Sequence, residues 1–316
     1  MPANPRCWSS AMAASIIRPR VSRMVGSLQN LTSTSILVPS ASTLILVFDL
    51  WSLDAHTCQH LAAVGGRLAR IDPRGEFDDR STTMSAGHER PAGSACWIDL
   101  GTADPAQTSR FYEALFGWNV ASADADGYRL ASLEDHLVAA FGPAADPGAP
   151  YWTVYLHTDD AHATARSIVG AGGTIVTSPA RVGDSGVAAT AQDPNGATFA
   201  LWQPTGHHGS WVSKRPGTFA GFELTVDTTI KRFWYAAAGW TFDDSGFINC
   251  CGAVVGTWRP SALNGESTFS SPWLISLRAG NVSERMAHAI TLGANVIDAD
   301  RGVLRDPAGA AIRLVA

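Results

Sequence analysis

The feature that most constrains the fold of this chain is an internal repeat over its last two thirds. Residues 111–118 read FYEALFGW and residues 233–240 read FWYAAAGW, so the final tryptophans lie 122 positions apart. Three more pairs recur in the same order: WTVYL and WLISL from Trp152 and Trp273, AGGTIV and LGANVI, and DPNG and DPAG. Four collinear matches at nearly one spacing predict two homologous domains.

The sequence of each domain predicts the same order of strands and helices. In the first domain, a strand at Trp97–Gly101 precedes Asp104-Pro105, a helix start in which Asp caps and Pro opens the first turn. Gly117 ends that helix, and short strands follow. A second strand, helix and set of strands begin at Trp152, so each domain reads as two βαβββ units.

These motifs resemble the vicinal-oxygen-chelate superfamily of glyoxalases, bleomycin-resistance proteins and extradiol dioxygenases. The resemblance rests on the helix ending FYEALFGW, on the second helix ending GAGG, and on DPNGATFALWQP at residues 193–204. It covers about residues 94–316 and is closest to the actinobacterial type with two tandem domains. It implies an α+β fold in which paired βαβββ units form a cupped mixed sheet with the helices outside.

The region before the repeat differs from it in composition. Residues 1–48 contain no Asp, Glu or Lys, and residues 71–95 have the Gly, Pro and Ser content of a linker. We interpret residues 1–93 as a poorly ordered N-terminal extension and linker, and expect the native protein to start near Met84. The alternative is a real leader that folds poorly.

The repeat sets the remaining boundaries. We assign glyoxalase-like domain 1 to residues 94–204, a linker to 205–218, and domain 2 to 219–316. Domain 2 is expected to be degenerate, because Asp227-Thr228-Thr229 replaces the Asp-Pro helix start. His207 and His208 could chelate a metal, but their Gly-rich bridge favours a solvated linker.

The resemblance also implies where a metal would bind. Superfamily ligands lie on the first and last strands of each unit. The matching positions here hold Trp97, Thr153 and Ala200 in domain 1, and Gly221, Leu274 and Arg313 in domain 2. A hard divalent metal needs several oxygen or imidazole ligands, and arginine offers no lone pair. We therefore expect no metal and no other cofactor in either cup.

Alternation along the strands selects the side chains that would face each cup. It assigns Trp97, Asp99, Thr153, Tyr155, Ala200 and Trp202 to the first cup, and Glu223, Ser276 and Arg313 to the second. Aromatic walls around one carboxylate suit a small, partly apolar ligand, including a cation. Glu223 and Arg313 are also candidates to bind a ligand, or they could pair with one another and close the second cup, because buried charges need partners.

Three functions stay open on these grounds. The first is a metal-independent, bleomycin-resistance-like protein that binds a small molecule in the cup of domain 1. The second is an enzyme of the same superfamily, lyase-like or of the hydroxylase or oxygenase kind, that uses Asp99 and Tyr155 for acid/base chemistry. The third is a structural role in protein interaction.

Composition excludes other classes of partner. The net charge of −5 argues against nucleic acid, which requires a clustered basic surface. The apolar run over residues 35–51 is too short and too interrupted for a membrane helix. Five cysteines without paired spacing indicate a reducing compartment, so we expect a cytoplasmic protein. The use of arginine in place of lysine favours a bacterial source. A homodimer is left open.

The remaining prominent residues are expected to be structural. Trp118, Trp152, Trp240 and Trp273 recur in both repeats and should pack helix against sheet. Asp193 and Asp306, in the two DPxG segments, should form turns. Cys96, beside Trp97, is expected in the core on the helix side.

Overall fold

The computed structural model describes residues 36–40, 43–47, 61–64, 67–70, 90–144, 150–210, 214–261 and 271–316. The first four ranges are strands β1 (Ile36–Ser40), β2 (Thr43–Val47), β3 (Leu61–Val64) and β4 (Arg67–Arg70). They pair as two antiparallel hairpins, β1 with β2 and β3 with β4. Most of the extension predicted over residues 1–93, including the start at Met84, lies outside the described residues, so both stay predictions.

Met84–Cys250 and Val254–Ala316 form one compact unit, which includes both domains. Domain 1 consists of two βαβββ units. The first βαβββ unit comprises β5 (Ala95–Thr102), α1 (Pro105–Phe116), β6 (Asn119–Val120), β7 (Arg129–Leu133) and β8 (His136–Pro143). The second comprises β9 (Tyr151–His157), α2 (Ala161–Gly170), β10 (Thr174–Val182), β11 (Gly186–Gln192) and β12 (Thr198–Pro204). Their strands form one mixed sheet in the order β10-β11-β12-β9-β5-β8-β7-β6.

Domain 2 repeats this plan. Its first unit comprises β13 (Phe219–Val226), a 3-10 turn (Thr228–Ile230), α3 (Lys231–Ala238), β14 (Thr241–Phe242), β15 (Phe247–Cys250) and β16 (Ala253–Pro260). Its second comprises β17 (Trp273–Arg278), α4 (Val282–Thr291), β18 (Asn295–Asp298), β19 (Val303–Arg305) and β20 (Ala311–Val315). The sheet order, β14-β15-β16-β13-β17-β20-β19-β18, is that of domain 1 read from the other end. The predicted duplication and the α+β class are confirmed.

The helix starts differ between the repeats for a local reason. The Asp104 carboxylate accepts the backbone N–H of Gln107 at 2.9 Å, and Pro105 opens the helix. Asp227 instead caps the 3-10 turn by accepting from Thr229, and α3 has 8 residues where α1 has 12. Without proline in the first turn, the second helix starts later and is shorter.

The helix sides of the two sheets share one hydrophobic core. The four tryptophans predicted to pack there are buried, namely Trp118, Trp152, Trp240 and Trp273. The ring of Phe199 on β12 lies 4.9 Å from that of Trp234 on α3, centroid to centroid. The Tyr112 hydroxyl on α1 donates to the Asp306 carboxylate at 2.9 Å. The domains therefore pack through their helix sides.

Asp193 forms a turn, as predicted, and each sheet has a second face outside the shared core. Asp193 accepts the backbone N–H groups of Asn195 and Ala197, as a turn former does. Trp97 and Trp202 lie in a cluster apart from the shared core, and Leu274 lies in another. Each sheet thus has a second face that the shared core does not cover. In the described part of the chain, no helix is both long and apolar enough to cross a membrane.

Candidate functional site

The second face of domain 1 carries the side chains that alternation assigned to the first cup. Along β9, Trp152 and Val154 are buried in the shared core, whereas Thr153 and Tyr155 are half-buried on the other face. Asp99 on the neighbouring strand β5 is opposite Thr153. The strand pattern therefore brings these residues together on one accessible surface.

Asp99 is held by two tyrosines. Its Oδ2 atom accepts a hydrogen bond of 2.6 Å from the Tyr155 hydroxyl and one of 2.9 Å from the Tyr128 hydroxyl. The indole N–H of Trp97 lies 3.4 Å from the Tyr128 oxygen, to which it donates. Sequence reasoning missed Tyr128. Its ring packs over Gly142, where a Cβ atom would come within 2.8 Å of it.

The surroundings favour the neutral form of Asp99. Burial raises the pKa of this carboxyl, and hydrogen bonds from Tyr155, Tyr128 and Thr153 act against that rise. Burial and the charge of Asp99 both raise the pKa of Tyr155, so its hydroxyl stays a donor. The cup therefore presents one carboxyl that can exchange a proton and tyrosine hydroxyls that stay protonated.

Residues 205–210, which form the bridge after β12, pack onto this cup. The backbone carbonyl of His207 accepts the indole N–H of Trp202 at 2.7 Å, and the His207 ring meets that of Trp97 edge-on at 4.6 Å. The backbone N–H of Ser210 donates to the Cys96 carbonyl at 2.7 Å. This part of the bridge is half-buried, unlike a solvated linker, because the two indoles offer it apolar surface.

Cys96 departs from the expected face. It is buried, but it clusters with Trp97 and Trp202 on the cup side instead of joining the helix-side core. The physical reason is a register shift between Ala95 and Trp97 in the pairing of β5 with β9. Burial raises the pKa of the Cys96 thiol to about 12, so it is unreactive at neutral pH.

The second cup is built around Glu223. Arg313 pairs with its carboxylate at 3.4 Å, so the pairing that the sequence left as one alternative is confirmed. Two further arginines join that were not expected. Arg301 reaches both carboxylate oxygens at 2.8 and 2.7 Å, and Arg259 approaches to 3.3 Å.

The positions that match the superfamily metal ligands do not offer a metal donor set. In domain 1 they present an indole, a hydroxyl and a methyl group, from Trp97, Thr153 and Ala200. In domain 2 they present Gly221, Leu274 and Arg313, and the last of these is bound to Glu223. Over the ranges the structure describes, no three His, Cys, Asp or Glu side chains group as a metal site would. These donors do not fit a hard divalent ion.

This chain is similar to one family of protein domains and to several curated proteins. Residues 95–202 match the family described as "Glyoxalase-like domain". The chain is 31% identical over 258 residues to the anthracycline biosynthesis protein DauV of Streptomyces sp. strain C5. The match covers 71% of this chain and 93% of that protein. It is 34% identical over 169 residues to CFP32 of Mycobacterium bovis, a protein provisionally named a glyoxylase, covering 50% of this chain and 64% of that one.

Among solved structures, the fold is similar to that of the 2,3-dioxygenase LapB from Pseudomonas sp. KL28. The TM-score is 0.51 at 11% sequence identity, and the match covers 71% of this chain and 93% of that one. At this identity the likeness concerns the fold alone.

Proposed function

Because this chain belongs to the glyoxalase-like proteins of the vicinal-oxygen-chelate superfamily, we propose that it binds a small molecule in the cup of domain 1 without a divalent metal. One observation carries the proposal: the half-buried carboxyl of Asp99, held by Tyr155 and Tyr128 beside the indole of Trp97. Ligand pockets commonly combine apolar walls with a few fixed polar groups of this kind.

The chemistry of the cup selects a flat apolar molecule that carries a protonated amine. The partly buried rings of Tyr128 and Tyr155 provide aromatic surface, with Trp97 and Trp202 packed behind them, and Asp99 provides the countercharge. A cation beside Asp99 favours the carboxylate over the carboxylic acid, so binding releases a proton where Asp99 was neutral. The relative named for anthracycline biosynthesis supports a polycyclic aromatic body.

The second candidate is an enzyme of the same superfamily, lyase-like or oxygenase-like. The hydrogen bond of 2.6 Å between Tyr155 and Asp99 favours it, because the tyrosine orients a carboxyl whose raised pKa makes it a stronger base than an ordinary aspartate. Asp99 would then act as general base, and Tyr155 would donate to the oxygen on which charge develops.

Binding and recovery of one probe separate the two candidates. We suggest calorimetric titration of the full chain with doxorubicin, a flat aromatic compound with one amine, followed by mass spectrometry of the recovered compound. Saturable binding that weakens about tenfold in Asp99→Asn, with doxorubicin recovered unchanged, supports the binding protein. Conversion of the compound that disappears in Asp99→Asn supports the enzyme.

A matched variant controls for charge. Asp159→Asn removes one exposed carboxylate from domain 1 outside the cup, so its affinity for doxorubicin should equal that of the unmodified protein. Equal affinities in Asp99→Asn and Asp159→Asn would contradict a ligand site at Asp99.

A further inference from the structure

The cup of domain 2 gathers more positive than negative charge. Three guanidinium groups, from Arg259, Arg301 and Arg313, surround the single carboxylate of Glu223 at 2.7–3.4 Å. Asp298 accepts the backbone N–H of Arg301 at 3.0 Å, and among the described residues Glu223 is the carboxylate that pairs with the Arg301 and Arg313 side chains. Arg301 and Arg313 together with Glu223 carry a formal charge of +1, and Arg259 has a further interaction of its own.

The arrangement exposes the cations and covers the anion. The side chains of Arg259, Arg301 and Arg313 are 37%, 35% and 21% exposed, whereas that of Glu223 is 11% exposed. A solute that reaches this face of the sheet therefore meets guanidinium groups first. Guanidinium donors match the oxygens of carboxylates and phosphates in charge and in geometry.

Hydroxyl groups hold two of these arginines in place. The Nε atom of Arg313 donates to the Ser276 hydroxyl at 2.9 Å, and that of Arg259 donates to the Thr225 hydroxyl at 3.0 Å. Fixing the guanidinium planes before a ligand arrives reduces the entropy that binding must overcome.

Arg301 lies close enough to Arg313 for like-charge repulsion to act between them. Burial lowers the pKa of Arg313 most, the charge of Glu223 raises it, and the charge of Arg301 lowers it. An anion bound beside these two guanidinium groups would offset their repulsion.

Domain 1 has no such cluster at the matching positions. Asp99 and Glu223 occupy the same register, since the first pairs with Ala140 on β8 and the second with Thr257 on β16. Where domain 2 has Arg313 and Arg259, domain 1 has Ala200 and Gly142. The excess of positive charge is therefore specific to domain 2 and is not a property of the shared fold.

From this geometry we propose that the cup of domain 2 is a second binding site, which takes an oxyanion. Phosphate monoesters and dicarboxylates share this chemistry. The site is separate from the one proposed in domain 1, and it gives domain 2 a role of its own beyond that of a degenerate scaffold.

Calorimetric titration of the full chain with inorganic phosphate and, separately, with succinate tests this site at constant ionic strength and neutral pH. We expect saturable binding of at least one anion, and the anion that binds more tightly identifies the preferred class. Arg301→Gln should weaken binding about tenfold, because it removes a charged donor. Glu223→Gln should tighten binding severalfold, because it removes the internal competitor for the arginines.

The opposite signs separate a ligand site from a structural ion pair, which predicts no gain in affinity from Glu223→Gln. Arg232→Gln removes an exposed charge on α3 and should leave binding unchanged. Absence of saturable binding of either anion would overturn the proposal, as would equal affinity in Arg301→Gln. Should Glu223→Gln fail to fold, the comparison of Arg301→Gln with Arg232→Gln decides.

Discussion

The Tyr155 hydroxyl donates a hydrogen bond of 2.6 Å to the Asp99 carboxyl, across two neighbouring strands of the domain 1 sheet. Tyr128, the residue before β7, donates to the same oxygen atom. The two donors fix the orientation of the carboxyl, while burial raises its pKa.

Asp99 should make the stability of the protein depend on pH. Its pKa is raised in the folded state, so the folded protein binds more protons than the unfolded chain between the unfolded and folded pKa values. Asp99 therefore lowers the free energy of unfolding as pH rises through that window. Relative to Asp99→Asn, the melting temperature of the unmodified protein should decline from acid toward neutral pH. A constant difference between the two proteins would show that the folded pKa of Asp99 is not raised.

Tyr155→Phe should reduce stability and retain the fold. The variant loses one hydrogen bond to a carboxyl, which corresponds to about 1 kcal/mol in the free energy of unfolding, measured by urea denaturation. Tyr128→Phe removes two hydrogen bonds, the one of 2.9 Å to Asp99 and the one accepted from the buried indole of Trp97, so its loss should be at least as large. A clearly smaller loss in Tyr128→Phe would contradict this pairing of Tyr128 with both residues.

Phe199→Ala should destabilise both domains together. Its ring lies in the shared core against Trp234 of the other domain, so truncation should cost about 3–5 kcal/mol. Calorimetry should record a single unfolding transition at lower temperature. Val169→Ala, at an exposed position on α2, should cost little. Two separate transitions, with only one shifted, would contradict a shared core.

Gly209→Ala tests whether the bridge packs against domain 1. A Cβ atom at Gly209 would lie 2.1 Å from the Cys96 carbonyl oxygen, and the backbone has a φ of +106°. Gly196→Ala is the matched variant, because Gly196 also has a positive φ but has open space around it. We expect Gly209→Ala to lower the free energy of unfolding by about 2 kcal/mol more than Gly196→Ala. Equal losses would indicate that the bridge is not packed there.

Local patterns in the sequence predicted the main elements and the face of the strand residues at the cup, except for Cys96, which lies at a register shift in β5. Side chains alternate between the two faces of β9, which places Trp152 on the core face and Thr153 and Tyr155 on the cup face. This alternation can be recognised within a single strand. Local patterns also located the capped start of α1 at Asp104 and the end at Gly117.

Contacts between distant segments could not be predicted in the same way. Tyr128 reaches Asp99 across 29 residues, and Arg301 reaches Glu223 across 78. Such contacts depend on the register between strands and on how a loop returns to the sheet, which a local pattern does not determine. Glu223 and Arg313 were paired correctly because both lie on strands, where alternation could be applied to each.

Calorimetric titration of one protein sample with doxorubicin, before and after removal of metal with a chelator, tests the central claim most directly. The metal content of the same tag-free sample is measured by mass spectrometry. We predict equal affinities and metal well below one ion per chain. Binding that falls on chelation and returns with one equivalent of zinc, nickel or iron would contradict a metal-independent site.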